Sequence, residues 1–211
     1  MEVWAIVLAA GAGTRFGGAK QFGRLGERRV VDLAVETAAS CSDGVVVVVP
    51  PEHRWTGSSV HAAVAGGATR SASVRAGLAS VPETAEVILV HDAARPLASR
   101  SLFDAVIAAV AGGAEGAVPA LPVTDTIKRV AEGRVVETVA RSDLVTVQTP
   151  QAFRAEALRR AHAGGGDDTD DAALVEAAGG TVVVVPGEES NLKVTTAVDL
   201  DRAAGMVKEL R

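Results

Sequence analysis

Short unbroken apolar runs alternate along this chain with stretches whose apolar positions recur every three or four residues. Residues 3–8 form one such run, as suits a parallel strand buried on both faces. Residues 45–49 are five valines in a row, stopped by Pro50-Pro51. The segments 87–90, 117–121, 144–147 and 182–185 are further strand candidates. Between them, Val31, Ala34, Val35 and Ala38 predict a helix over 30–39, and Val74, Leu78 and Val81 one over 71–81. Leu102, Phe103, Val106, Ile107 and Val110 form a third helical stripe. Thr149-Pro150 predicts a helix start, with Thr as N-cap and Pro at the first helical position. Asp170 and Asp171 fall in the first turn of the next helix, where acids suit the dipole, and Thr196 with Asp199 makes a capping-box pattern for the last one. Strands alternating with helices imply an α/β fold, a mostly parallel sheet with helices on both faces. In such sheets ligands bind beyond the carboxyl ends of the strands.

One stretch breaks the alternation. Residues 125–130 and 134–140 flank Ala131-Glu132-Gly133, which predicts a β-hairpin. Its faces are too polar for a core, so 123–146 is expected to project as an arm. The 211 residues otherwise fit a single domain over 1–211, and the short Gly164-Gly165-Gly166 patch is no domain linker.

Composition narrows the partners. Hydrophobic residues make up 48% of the chain, enough for a substantial core. No apolar run approaches the ~20 residues that span a bilayer, and the first apolar run has no basic leader, which together read as cytoplasmic. The formal charge is −5, from 21 basic and 26 acidic residues, and no long basic run offers a nucleic-acid face. Cys41 is the only cysteine, which excludes an internal disulfide and a cysteine-based zinc site. His53, His61, His91 and His162 lack metal-ligand spacing.

Five motifs carry candidate chemistry. Leu8-Ala9-Ala10-Gly11-Ala12-Gly13-Thr14-Arg15, running on to Lys20, is a Gly-rich loop after the first strand. Small residues let backbone amides face phosphate oxygens, and Arg15 and Lys20 add full charges. It is neither the dinucleotide fingerprint, since Phe16 stands where the third glycine belongs, nor a P-loop, since Lys20 lies between Ala19 and Gln21. Gly66-Gly67 with Ser73 could touch a base or ribose, or be a tight turn and cap. Asp92, in Val90-His91-Asp92-Ala93-Ala94-Arg95-Pro96, could hold a metal or a ribose hydroxyl, or simply pair with Arg95. His91 alone reads more readily as a packed histidine. Lys193 could reach a phosphate or be solvated. The hairpin, with Asp125, Thr126, Lys128 and Arg141, suits oligomerisation or is a plain surface feature.

Together and in this order, these motifs resemble the 2-C-methyl-D-erythritol 4-phosphate cytidylyltransferases over nearly the whole chain. Leu-Ala-Ala-Gly-x-Gly-x-Arg is common to many nucleotidyltransferases. The combination of Val90 to Pro96 with Asp125-Thr126-Ile127-Lys128, Gln148-Thr149-Pro150-Gln151 and Lys193-Val194-Thr195 is far more specific. Ala19 departs from the proline common there. The resemblance implies a Rossmann-like nucleotidyltransferase fold with a protruding arm. It further implies that Ala9, Ala10, Gly11, Ala12 and Gly13 wrap the nucleotide, and that Arg15, Lys20 and Lys193 act on the phosphates. Gly66, Gly67 and Ser73 would contact cytidine, and Ala93 the ribose. Asp92 would hold Mg²⁺, with other divalent cations able to substitute. Arg95, Thr126 and Arg141 would hold methylerythritol phosphate, the last two supplied by the partner of a homodimer. Rival expectations are a nucleotidyltransferase for another acceptor, such as ribitol phosphate, and a non-catalytic nucleotide-binding regulator.

Overall fold

A computed structural model describes residues 1–11, 20–168 and 170–209. The strands are β1 (Val3–Leu8), β2 (Arg24–Leu25), β3 (Arg28–Arg29), β4 (Gly44–Val49), β5 (Ala62–Ala65) and β6 (Val87–Asp92). They continue with β7 (Gly116–Pro122), β8 (Ile127–Ala131), β9 (Arg134–Val139), β10 (Val145–Val147), β11 (Gln151–Arg154) and β12 (Val182–Pro186). The helices are α1 (Val30–Ser40), α2 (Arg70–Leu78), α3 (Arg100–Ala111), α4 (Ala155–Ala163), α5 (Asp171–Ala177) and α6 (Ala197–Glu209). None is long and apolar enough, among the described residues, to cross a membrane.

The main sheet runs β5-β4-β1-β6-β11-β7-β12, with β10 beside β7 on the edge that also carries β11. The strands β5, β4, β1 and β6 are parallel, as are β7 and β12, while β11 runs against both β6 and β7. Alternation along each strand divides the core between two faces. Ala5, Val7, Val47 and Leu89 meet Val31 and Val35 of α1 and Phe103 and Val106 of α3. Ile6, Val46, Val48, Ile88 and Val90 meet Val74 of α2, Leu158 of α4 and Val175 of α5 on the other face. The continuous apolar runs are therefore explained: every second residue serves a different helix layer. A smaller cluster of Leu25, Val30, Val194 and Ala203 docks α6 against the small β2–β3 ladder and α1.

The hairpin stands apart as its own two-stranded sheet, with Glu132 and Gly133 at φ 49° and 76° forming the two-residue turn. The last helix opens as its sequence predicts: Thr196 Oγ1 accepts from the Asp199 amide at 3.3 Å, and Asp199 Oδ2 from the Thr196 amide at 2.8 Å.

Three expectations change. Thr149-Pro150 does not open a helix. Residues 151–154 form β11, filling the slot between β6 and β7 with the fully buried Ala152 and Phe153, and α4 begins only at Ala155. The Thr149 hydroxyl accepts instead from the amide of Asp92. The helix expected over 71–81 ends at Leu78, and Val81 is buried in the following turn. The strand β6 also extends two residues beyond the apolar run, so His91 and Asp92 lie on the strand itself.

Gly77 shows how tightly α2 sits on the sheet. A Cβ there would lie 2.6 Å from Ile6 Cγ2 and 3.2 Å from Val48 Cγ2. Alanine normally improves a helix interior by about 0.5–1 kcal/mol over glycine, whereas overpacking a core costs about 1–3 kcal/mol. The clash wins, and Gly77→Ala should lower unfolding free energy by about 1 kcal/mol or more in a urea titration. A stabilised variant would mean that α2 can lift off the sheet.

Candidate active site

The parallel registers bring three chain segments to one edge. Leu8 pairs with Asp92 and with Val48. Beyond these ends, the Ala9 amide donates to the Val48 carbonyl at 2.7 Å, the Ala93 amide to Leu8 at 3.0 Å, and the Gly66 amide to Val49 at 2.8 Å. The backbone of 9–11, the Gly66-Gly67 turn and Asp92-Ala93 therefore sit side by side at the carboxyl ends of the strands. Gly66 is required by this packing, because a Cβ would come within 2.3 Å of the Ala10 Cβ. Gln21, almost fully buried, donates to the carbonyls of Ala9 at 2.6 Å and Gly11 at 3.0 Å. It pins the start of the Gly-rich segment, a role no motif announced. Ala12, Gly13 and Arg15 lie outside the described residues, as does the side chain of Lys20.

Asp92 is the charged centre of this edge. Its Oδ2 accepts from Lys193 Nζ at 2.6 Å, and Oδ1 lies 3.6 Å from Arg70 Nε. Burial disfavours its charge, but Lys193, Arg70 and Arg95 outweigh it and hold the carboxyl well below the usual carboxylate range. No local sequence signal marks Arg70, because its partners lie far along the chain. It also donates to the fully buried Asp171 at 2.7 Å, and Asp171 is bonded to His162 Nε2 at 2.9 Å. Asp92 and Arg95 do not form a side-chain pair. Arg95 instead donates to the carbonyls of Asn191 at 2.8 Å and Val147 at 3.4 Å, while its Nε is buried with no protein partner.

A polar frame holds these groups. Thr149 Oγ1 meets the Asp92 amide at 3.0 Å and His91 Nδ1 at 3.1 Å, and His91 Nε2 meets the Arg95 carbonyl at 3.2 Å. Asn191 donates to Gln148 Oε1 at 3.2 Å and to the Thr149 carbonyl at 3.0 Å, fixing the chain two residues before Lys193. Both nitrogens of His91 are engaged and the ring is fully buried, so it is a packed histidine.

Other predicted residues are placed as follows. Ser73 is buried, donating to the Thr69 carbonyl at 3.0 Å and accepting from the Gly67 amide at 3.2 Å, so its hydroxyl shapes the Gly-Gly turn. Thr126 and Arg141 lie on the arm, where Arg141 donates to the Thr124 carbonyl. No described hydrogen bond or ion pair joins either of them to the Asp92 group. Among the described residues no three acidic, histidine or cysteine side chains gather to hold a metal. A single ionised carboxylate still suits Mg²⁺, which commonly takes one or two carboxylates and completes its shell with substrate phosphates and water.

A sheet edge that gathers the 9–11 backbone, a Gly-Gly turn and an acid flanked by Lys and Arg has the layout of an α/β nucleotide-binding site. The chain belongs to the 2-C-methyl-D-erythritol 4-phosphate cytidylyltransferase family, whose model matches residues 3–209. It is 46% identical to the 2-C-methyl-D-erythritol 4-phosphate cytidylyltransferase of Rhodococcus opacus, covering 98% of this chain and 96% of that one. It is 44% identical to the bifunctional enzyme IspD/IspF of Dinoroseobacter shibae, over 99% of this chain and 54% of that protein. The chain thus spans about half the length of several curated relatives it matches. The crystal structure of the Thermus thermophilus cytidylyltransferase superposes with a TM-score of 0.85 at 36% identity, covering 99% of this chain and all of that one.

Burial pushes the His91 imidazole down to about 4 from its ordinary 6.5, with Asp92 opposing and Arg95 reinforcing the change. As pH falls, the unfolded chain therefore takes up this proton first, so stability is present above 6.5 and lost on the way to 4. The loss between pH 7 and pH 5 should be about 2 kcal/mol. Denaturant titrations at the two pH values would measure it, and His91→Gln should remove that part of the slope. An unchanged slope in the variant would assign the loss to other groups.

Proposed function

We propose that this chain transfers a cytidylyl group from CTP to 2-C-methyl-D-erythritol 4-phosphate, giving 4-(cytidine 5′-diphospho)-2-C-methyl-D-erythritol and pyrophosphate, for isoprenoid precursor synthesis in the cytoplasm. The observation that carries this reading is the Lys193–Asp92 pair set beside the 9–11 backbone at the carboxyl ends of the parallel strands. The family match over 3–209 supports the choice of nucleotide and acceptor.

In this reading a phosphate oxygen of the acceptor attacks the α-phosphorus of CTP. The bond from that phosphorus to the bridging oxygen of the β-phosphate breaks, and pyrophosphate leaves. The second pKa of such a phosphate is about 6, so the nucleophile is already largely dianionic at neutral pH and needs no general base. The buried, hydrogen-bonded His91 has no such role. The obstacle is charge, because a dianion must approach an anionic triphosphate. Mg²⁺ held by Asp92 and phosphate oxygens would supply charge neutralisation when bound, as could another divalent cation. The chain's own part is alignment and further neutralisation. The 9–13 backbone cradles the triphosphate, with Arg15 and Lys20 on its oxygens and Lys193 at the α-phosphate. Gly66, Gly67 and Ser73 shape the cytidine pocket and Ala93 meets the ribose.

Arg95, with its buried Nε free of protein partners, is assigned to the acceptor together with Thr126 and Arg141 of a second subunit. Support for a homodimer comes from the arm and its root. Val130, Val135 and Val136 on the hairpin, Val145 and Val147 on β10, and Val184 on β12 are all exposed, between 38% and 62%. That apolar surface suits a second copy of the same arm.

Pyrophosphate release with CTP, Mg²⁺ and each acceptor tests the reaction. Release should occur with methylerythritol phosphate, and Lys20→Ala or Lys193→Ala should lower turnover ~10²-fold or more with the fold retained, by analogy with loss of one oxyanion donor. Release with ribitol phosphate alone would overturn the acceptor, and near-normal turnover in Lys193→Ala would remove that residue from the chemistry.

Sharing of the site between subunits has its own test. Arg141→Glu should impair use of methylerythritol phosphate while sparing CTP binding. Mixed with Lys20→Ala, it should regain activity in heterodimers, because one of the two sites then receives intact residues from both chains. Confirmed heterodimers without recovery would make each chain self-sufficient.

A further inference from the structure

The carboxylate assigned above to the cation is already engaged in the ligand-free protein. Lys193 Nζ sits 2.6 Å from Asp92 Oδ2, and Arg70 Nε lies 3.6 Å from Oδ1. These two cations are held in different ways. Arg70 is tied down by its 2.7 Å bond to the fully buried Asp171, and only 24% of its side chain is exposed. The Lys193 side chain is 43% exposed and ends on Asp92. Its backbone, by contrast, is fixed on both sides. The Val194 amide donates to the Ala94 carbonyl at 2.8 Å, and Asn191 is bonded to Gln148 and Thr149. A four-carbon stem on an anchored Cα can swing its ammonium group while the chain beneath it stays still.

Charge then decides what can enter. A divalent cation arriving alone meets one carboxylate that carries an ammonium and faces a guanidinium. It must displace Lys193 with nothing to receive that charge, and Arg70 repels it. A triphosphate changes the balance, because its oxygens can take Lys193 and leave Asp92 Oδ2 open. We propose that Lys193 guards Asp92: it closes the carboxylate to free divalent cations in the empty site and moves onto the triphosphate when nucleotide binds, so that cation and nucleotide bind cooperatively. This rests on the reading of Asp92 as the cation residue. It gives Lys193 a task in ligand binding that precedes its task in the reaction. Linkage makes the coupling reciprocal, so nucleotide should strengthen cation binding by the same factor that cation strengthens nucleotide binding.

Mn²⁺ is a direct probe, since its free concentration can be read by electron paramagnetic resonance without turnover. In the absence of nucleotide, Lys193→Gln should bind Mn²⁺ roughly tenfold more tightly than wild type, within the span usual for coupled sites. Adding Asp92→Asn to that variant should abolish the gain. Equal Mn²⁺ binding by wild type and Lys193→Gln overturns the guard. A gain that survives Asp92→Asn puts the cation elsewhere, overturning the assignment of Asp92 and the guard with it. A second measurement needs no loss of the pair. Lys193 is one of four lysines, so its ¹³C-methylated amine can be followed by NMR, with Lys193→Arg giving the assignment. Saturating CTP in EDTA should shift that signal, and a signal that stays in place overturns the guard.

Discussion

A single buried negative charge organises one end of this molecule. Asp92 ends the central strand β6 with only 9% of its surface exposed. An ionised carboxylate in such a place costs several kcal/mol unless it is paired and hydrogen-bonded. Its partners come from distant parts of the chain: Lys193 from the segment after β12, Arg70 from the first turn of α2, and the Asp92 amide's acceptor Thr149 from the approach to β11. Arg70 is largely buried too, and needs Asp171, which in turn meets His162. A row of paired groups thus runs from the strand ends back to α4 and α5. Arg70 stands between the two buried carboxylates and faces both, so neither depends on a single partner.

The layered fold was largely legible because it is written in short-range periods. Five consecutive valines at 45–49 feed both helix layers, and the stripes at 30–39 and around Phe103 face one of them. The capping box of Thr196 and Asp199 was equally local. Thr149-Pro150 misled for the opposite reason. Its local chemistry favours a helix start, but the slot between β6 and β7 takes the apolar Ala152 and Phe153 as a strand, and the Thr149 hydroxyl serves Asp92. Tertiary packing overrode a cap worth about 1 kcal/mol.

The candidate site was legible as a set of motifs and not as a set of contacts. Asp92 and Lys193 could each be picked from their neighbours, yet their pairing spans 101 residues of chain and has no local signature. Arg70 stood inside a motif read for its glycines and serine, and nothing nearby indicated that it would bind two acids. Gln21 shows the same limit, since its role is to hold carbonyls that precede it by ten and twelve residues. Arg95 lies three residues beyond Asp92 yet bonds to carbonyls, and the direct partners of that carboxylate are Lys193 and Arg70.

The arm follows a different logic from the site at the strand ends. It leaves β7 at Pro122 and returns at β10, which pairs with β7, so the main sheet forms its root. Beyond that root it is a two-stranded ladder with almost every side chain exposed, and such a hairpin alone is marginally stable in water. Its valines nevertheless face outward, and Val145 and Val147 extend the same apolar character into the main sheet. A surface of this kind gains stability when a second copy covers it. Under the proposed function, the contact that stabilises the arm also carries Thr126 and Arg141 toward the acceptor. Dimer assembly and acceptor binding then depend on one and the same surface. The edge proposed to hold nucleotide, built from β1, β4 and β6 within one chain, does not share that dependence.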